Sequence, residues 1–183
     1  MGAFTYPRSE PGSGGHQDLV ERLNTMPARL RLEVDGVPEE VLTRRPAKSG
    51  WSIKEICGHL RDHAPYRHRQ LFVIINLEEP RLAAWDQDAL VRDRDHQSAA
   101  IDDLLAEFSA QRAETVEMLA DLVHWNWARQ GRHEELGRLS VRQLVDRTIA
   151  HDEAHLEQLR ALKRPPQKKA SASTAQRRKA GGK

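Results

Sequence analysis

The 183-residue sequence predicts an all-α fold, a four-helix bundle, and three observations carry that prediction. Leu, Ala, Arg and Glu dominate while β-branched residues are sparse, a balance that favours helix over sheet. Apolar residues recur at helical spacing in four separate stretches, and none shows the alternation of a convincing strand. Two of those stretches open on a capping box, the local signature of a helix N-terminus. Four amphipathic helices bury their stripes by packing on one another, which is the bundle solution.

Residues 1–15 hold Pro7, Pro11 and several glycines, and they read as a disordered lead. The bundle domain is expected over 16–163. Its first helix covers about 17–35, with Leu19, Leu23, Met26, Leu30 and Val34 on one stripe. Pro27 should kink or break it near Met26, since proline removes a helical N–H. "VPEEVLTRRPAKSG" (37–50) is a connection with two prolines. The second helix opens at "WSIKE", where Ser52 and Glu55 form a capping box, and Ile53, Ile56, Leu60, Leu71 and Ile74 mark its stripe. Pro65 should kink it.

A long irregular gap, about 78–97, precedes the third helix at about 98–122, whose Ile101, Leu104, Leu105, Phe108, Val116, Leu119 and Leu122 are available for a core. A loop over 123–139 leads to the fourth helix. Ser140 and Gln143 cap it, and its stripe runs Val141, Leu144, Val145, Thr148, His151, His155, Leu159, Leu162. The gap of roughly 20 residues reaches at most about 65–70 Å, against about 37 Å for a 25-residue helix. A long crossover that sets helices two and three parallel is therefore the expectation, although length alone does not demand it.

The single cysteine, Cys57, excludes an internal disulfide framework and reads as an inert buried thiol. The first fifteen residues lack the apolar segment of a secretory signal, and Tyr6 stands where a myristoylation site needs Ser or Thr. "LFVIINL" (71–77) is far too short to span a bilayer. A cytoplasmic protein with no membrane partner is expected. The net charge of +2 is unevenly distributed: residues 163–183 hold eight Lys or Arg and no acid, which leaves 21 basic against 27 acidic residues elsewhere. The Pro/Ala/Ser/Gly-rich segment 164–183 cannot bury enough apolar surface to fold. It reads as a solvated tail rather than a nucleic-acid contact, because no groove-reading element accompanies it.

Functional chemistry is concentrated in "HDEAHLEQLRAL" (151–162). His151 and His155, four residues apart, share one helix face within reach of a single ion. They also interrupt the buried stripe, where two unpaired imidazoles would cost roughly 1–3 kcal/mol each. The alternative is a pair of core histidines satisfied by polar neighbours. The metalloprotease pattern fails, because Asp152 follows the first histidine and the glutamate falls at 153. The di-iron bundle fails too, since no E-x-x-H occurs. A third ligand should come from another helix, and "GHLRDH" offers His59 and His63, with His68 beyond. Periodicity alone places His63 nearer the centre of the second helix's stripe.

"WSIKEICGHL" (51–60), followed some ninety residues later by "HDEAHLEQL" (151–159), resembles the DinB-like family of bacterial four-helix bundles. That family includes bacillithiol S-transferase-like and mycothiol-dependent maleylpyruvate isomerase-like members. The Pro-containing first helix, "EEPRLAAWD" after helix two and "GRHEELGRLS" before helix four agree with it, so the resemblance covers about 17–162. It implies three metal ligands at His59, His151 and His155, with His63 held in reserve as a fourth ligand, a supporting group or a rim imidazole. Asp152 is expected to support rather than ligate. His133 is a loop histidine that is as readily exposed as placed over the cavity, and Trp51, Trp85, Trp125 and Trp127 read as packing.

A three-imidazole site with an open position suits Zn, Ni or Fe(II). Such an ion can activate water or a thiol. The resemblance thus implies a metal-dependent enzyme of the thiol S-transferase or hydrolase type, acting on a small-molecule substrate that includes, in the first case, a low-molecular-weight thiol. No catalytic acid or base is assigned; Glu55, His63 and His133 are the candidates. The alternative is a non-enzymatic, stress-related binding or dimerisation module with a structural metal. A homodimer is expected because bundles often pair through exposed apolar faces.

Overall fold

The computed structural model describes residues 15–46, 50–82 and 95–163. The lead before Gly15, the basic tail from 164, Trp85 and most of the gap between helices two and three lie outside those residues. Four long helices form the body: α1 (His16–Val34), α3 (Ile53–Asn76), α4 (Ile101–Ala120) and α5 (Val141–Lys163), with a single-turn α2 (Glu39–Leu42) after α1. None of the described helices is long and apolar enough to cross a membrane.

The capping boxes form as the sequence predicts. The Glu55 N–H donates to Ser52 Oγ at 3.2 Å, and the Ser52 N–H donates to Glu55 Oε2 at 2.8 Å. At α5 the Gln143 N–H donates to Ser140 Oγ at 3.1 Å, and the Ser140 N–H to Gln143 Oε1 at 2.9 Å. Each box satisfies two N–H groups that a helix start leaves open.

Pro27 does not break α1, and α3 likewise runs through Pro65. A proline inside a helix costs about 3 kcal/mol, whereas burying one large aliphatic side chain contributes roughly 1.5–3 kcal/mol. Leu19, Leu23, Met26, Leu30 and Val34 are all buried along one unbroken α1 stripe, so packing holds the helix together.

Two apolar clusters fix the topology. One joins Met26, Leu30 and Val34 to Ile53, Ile56 and Leu60, to Leu104, Leu105 and Phe108, and to Leu156 and Leu159. The other joins Leu19 and Leu23 to Leu71 and Ile74, to Leu119, and to Val141, Leu144, Val145 and Ile149. The C-terminal end of α1 therefore lies level with the N-terminal ends of α3 and α4 and the C-terminal end of α5. Helices α3 and α4 run parallel, so α4 begins at the opposite end of the bundle from where α3 stops. Ion pairs mark the same levels: Arg61 with Glu107 between α3 and α4 at 2.9 Å, and Arg29 with Glu153 between α1 and α5 at 2.5 Å.

The expectation of no strand needs correction. A three-stranded sheet, in the order β1 (Arg81–Leu82), β2 (Gln130–His133), β3 (Gly137–Ser140), closes one end of the bundle after a 3₁₀ turn at His124–Ala128. β1 pairs parallel with β2, and β2 forms a hairpin with β3. Gly137 takes φ +72° at the hairpin's closing position, where glycine carries no steric penalty. Gly131 lets the sheet sit on α3, because a Cβ there would come within 2.8 Å of Ile74. Strands of two to four residues bearing three arginines carry too little apolar alternation to be visible in sequence.

Candidate metal centre

Between the two apolar clusters the helices contribute a buried polar layer: His59, Asp62 and His63 from α3, Arg112 and Thr115 from α4, Thr148, His151, Asp152 and His155 from α5. His59, His151 and His155 each offer a ring nitrogen, and the three atoms lie within 4.8 Å of one another. Their ring centroids are 4.6 to 5.0 Å apart. His59 Nε2 faces His151 Nε2 at 2.8 Å. The i, i+4 spacing on α5 sets two of the imidazoles one above the other, and the antiparallel neighbour α3 delivers the third. Next to it, Gly58 permits close packing: a Cβ there would collide with the His96 ring at 2.4 Å.

Side-chain oxygens orient two of these rings. His151 Nδ1 lies 3.1 Å from Asp152 Oδ1, and His155 Nδ1 lies 3.0 Å from Gln158 Oε1. A carboxylate or amide oxygen accepts from Nδ1–H, which leaves the Nε2 lone pair for the cluster. Arg112, 2% exposed, reaches across from α4 to donate to Asp152 Oδ2 at 2.6 Å. Burial alone would raise the Asp152 carboxyl, but Arg112 and His151 outweigh it and hold it below the ordinary carboxylate range. Arg112, Asp152 and His151 thus form one buried chain from α4 to the cluster. Arg112 was not anticipated: its position between Phe108 and Leu119 on the α4 stripe is the signal for it.

Burial and mutual repulsion keep His59 and His155 neutral. Burial first, then the neighbouring His151 and His155, drive His59 well below the usual histidine value. His155 is pushed down to about 3, by burial and then by His151. Buried, convergent imidazoles that present Nε2 lone pairs are the donor set that a divalent ion requires.

His63, favoured by periodicity, falls in a different group with His151 and Asp152. Its ring stacks 4.0 Å from His151, while the Arg67 guanidinium lies 3.2 Å from its Nε2. Glu55 is committed to its capping box and to Arg45 at 2.9 Å. His133 Nδ1 accepts the Glu135 N–H at 3.2 Å and so shapes the hairpin turn. Trp51, expected only to pack, lies against the cluster, 4.9 Å from His59 and stacked nearly parallel to His155 at 5.9 Å. Trp127 is buried against His16, and Trp125 is exposed. Cys57 is buried, its thiol pushed up to about 12 by burial.

A family model described as DinB superfamily matches residues 22–159. The uncharacterized protein YuaE of Bacillus subtilis (strain 168) is 27% identical over 150 residues, which cover 74% of this chain and 93% of that protein. Among solved structures, YfiT from Bacillus subtilis is described as a probable metal-dependent hydrolase with an unusual four-helix bundle topology. It matches this fold with a TM-score of 0.78 at 18% identity, over 86% of this chain and 91% of its own.

Proposed function

The chain belongs to the DinB superfamily, and on that premise we propose that it is a metal-dependent enzyme in which His59, His151 and His155 hold a divalent ion. One observation carries the reading: three buried imidazoles converge, and no further described His, Cys, Asp or Glu completes their group. Three protein ligands leave a coordination position for a reactant, whereas structural sites are closed by a fourth. His63 Nε2 faces the Arg67 guanidinium at 3.2 Å, and His63 groups with His151 and Asp152 rather than with all three of the trio, which supports the open position.

The ion, when bound, supplies Lewis acidity that lets water or a thiol ionise near neutral pH. The chain's own groups do the rest. Asp152 and Gln158 hold the Nδ1 protons of His151 and His155, so that both rings present Nε2. Trp51 covers one side of the trio and limits access of bulk water. His63, neutral because burial and then His151 push it well below the usual histidine value, places an uncharged imidazole beside the centre.

Hydrolysis of a small substrate is favoured over thiol transfer by the likeness to YfiT. Zinc, nickel and iron(II) all fit an all-imidazole set. Elemental analysis of tag-free wild type and His155→Ala tests the centre: near-stoichiometric metal in the wild type and its loss in the variant are expected. Metal-free wild type that refuses added Zn, Ni and Fe(II) would overturn it. A panel of small esters and amides, run beside thiol–electrophile pairs, then separates hydrolase from transferase. Metal that stabilises the fold without supporting turnover of either panel would assign a structural site joining α3 to α5.

A further inference from the structure

On the outer face of the small sheet three arginines stand in one row. Register pairs Arg81 with Arg132 across the parallel ladder and Arg132 with Arg138 across the antiparallel one. Leu82, His133 and Leu139 are buried on the inner face, so strand alternation turns all three arginines outward. Like charges directly opposed across a ladder are unfavourable. A row of three guanidiniums is therefore an arrangement that an anion would relieve.

Glu79 relieves part of it. Its carboxylate lies 3.1 Å from the Arg138 guanidinium and 3.9 Å from that of Arg132. The Glu79 backbone has φ 39°, in the left-handed region that a glutamate rarely adopts. No described residue forms an ion pair with the Arg81 side chain. Together with His133, Glu134 and Gly137, the three arginines line a concavity of about 360 Å³, in which three cations face the carboxylates of Glu134 and, at its edge, Glu79. Gly137 contributes no side chain to block it.

We propose that this concavity binds a small polyvalent oxyanion, a phosphate or carboxylate group seated across Arg81, Arg132 and Arg138 in competition with Glu79. Planar guanidinium forks match the paired oxygens of both groups, and three in register offer more than one bidentate contact. The three arginines share no residue with the histidine trio. The site is independent of the metal reading and stands or falls apart from it.

Calorimetric titration of the full-length protein with pyrophosphate, at constant ionic strength set by potassium chloride, tests the proposal. Saturable one-to-one binding is expected, equal in wild type and His155→Ala. It should weaken at least tenfold in Arg132→Gln and tighten several-fold in Glu79→Gln, which removes the competing charge. Both substituted side chains are more than half exposed, and circular dichroism confirms that the variants fold. A tricarboxylate titrated in parallel identifies the recognised group by which probe binds more tightly. Arg132→Gln binding as tightly as wild type, or Glu79→Gln binding more weakly, overturns the site as stated. So does a short DNA duplex that binds tenfold more tightly than pyrophosphate with a steep salt dependence, since the occupant would then be a nucleic-acid backbone.

Discussion

An imidazole that meets a metal ion must present the correct nitrogen, and the groups behind His151 and His155 decide which one that is. Asp152 takes Nδ1 of His151, and Arg112 secures Asp152 from the far side. Asp152→Asn keeps an oxygen for Nδ1–H but loses the charge, so metal affinity should fall about 10- to 100-fold in a competition titration. Arg112→Met strands a buried carboxylate and should destabilise the fold by about 3–5 kcal/mol in urea unfolding. Arg112→Lys should recover part of that stability. The depressed histidines also set a pH dependence. Their folded pKa values lie below the unfolded value of about 6.5, so the unfolded chain binds protons first as pH falls. The stability they contribute is complete above that value and is lost below it, for His155 down to about 3. Each such histidine adds a slope of up to about 1.4 kcal/mol per pH unit in the metal-free protein, measurable by denaturant melts from pH 7 to 4.5.

Each helix that carries the site is anchored where it begins. Ser52 caps α3 and its Oγ also accepts Gln97 Nε2 at 2.9 Å, which ties the return of the crossover to the start of that helix. Ser52→Ala should therefore cost more than an ordinary cap, toward the upper end of about 0.5–2 kcal/mol, read as a drop in thermal midpoint. The hairpin is anchored through Gly131, whose missing Cβ admits Ile74 and Leu82. Gly131→Ala should overpack that contact and destabilise by about 1–3 kcal/mol, with the loss recorded in the same melts. Pro27 and Pro65 show the converse: where a helix face is wholly buried, a missing backbone hydrogen bond does not end the helix.

Across the molecule, the histidine trio joins α3 to its antiparallel neighbour α5 at mid-height, between the two apolar clusters. A metal held there binds the folded state alone and stabilises it by about 2.7 kcal/mol at a hundredfold excess over Kd. Chelation should lower the thermal midpoint of wild type by several degrees and leave His155→Ala unmoved. An equal drop in both proteins would locate the metal elsewhere. The parallel course of α3 and α4 brings Arg112 to Asp152 behind the trio, so α4 reaches the site through that carboxylate.

All five residues expected on the α1 stripe and all five on the α3 stripe are buried, and both capping boxes form. These features were legible because they depend on period and on contacts three or four residues apart, which a sequence displays directly. The i, i+4 pair His151 and His155 was legible for the same reason. Other features depend on which helices become neighbours. Periodicity prefers His63, and the packing of α3 against α5 brings both α3 rings to His151: His59 meets it through Nε2, while His63 lies beside it with Nε2 facing Arg67. Arg112 supports Asp152, and Trp51 walls the trio, across separations no local pattern encodes. The arginine row exists only because pairing registers bring residues 81, 132 and 138 side by side. The sequence by itself determined where the capped helices start, which faces they bury and which α5 histidines share a face. Tertiary structure alone decided how closely His59 meets the α5 pair, the Arg112 that secures Asp152 and the sheet at the bundle's end, because contacts between distant segments follow from packing and not from period.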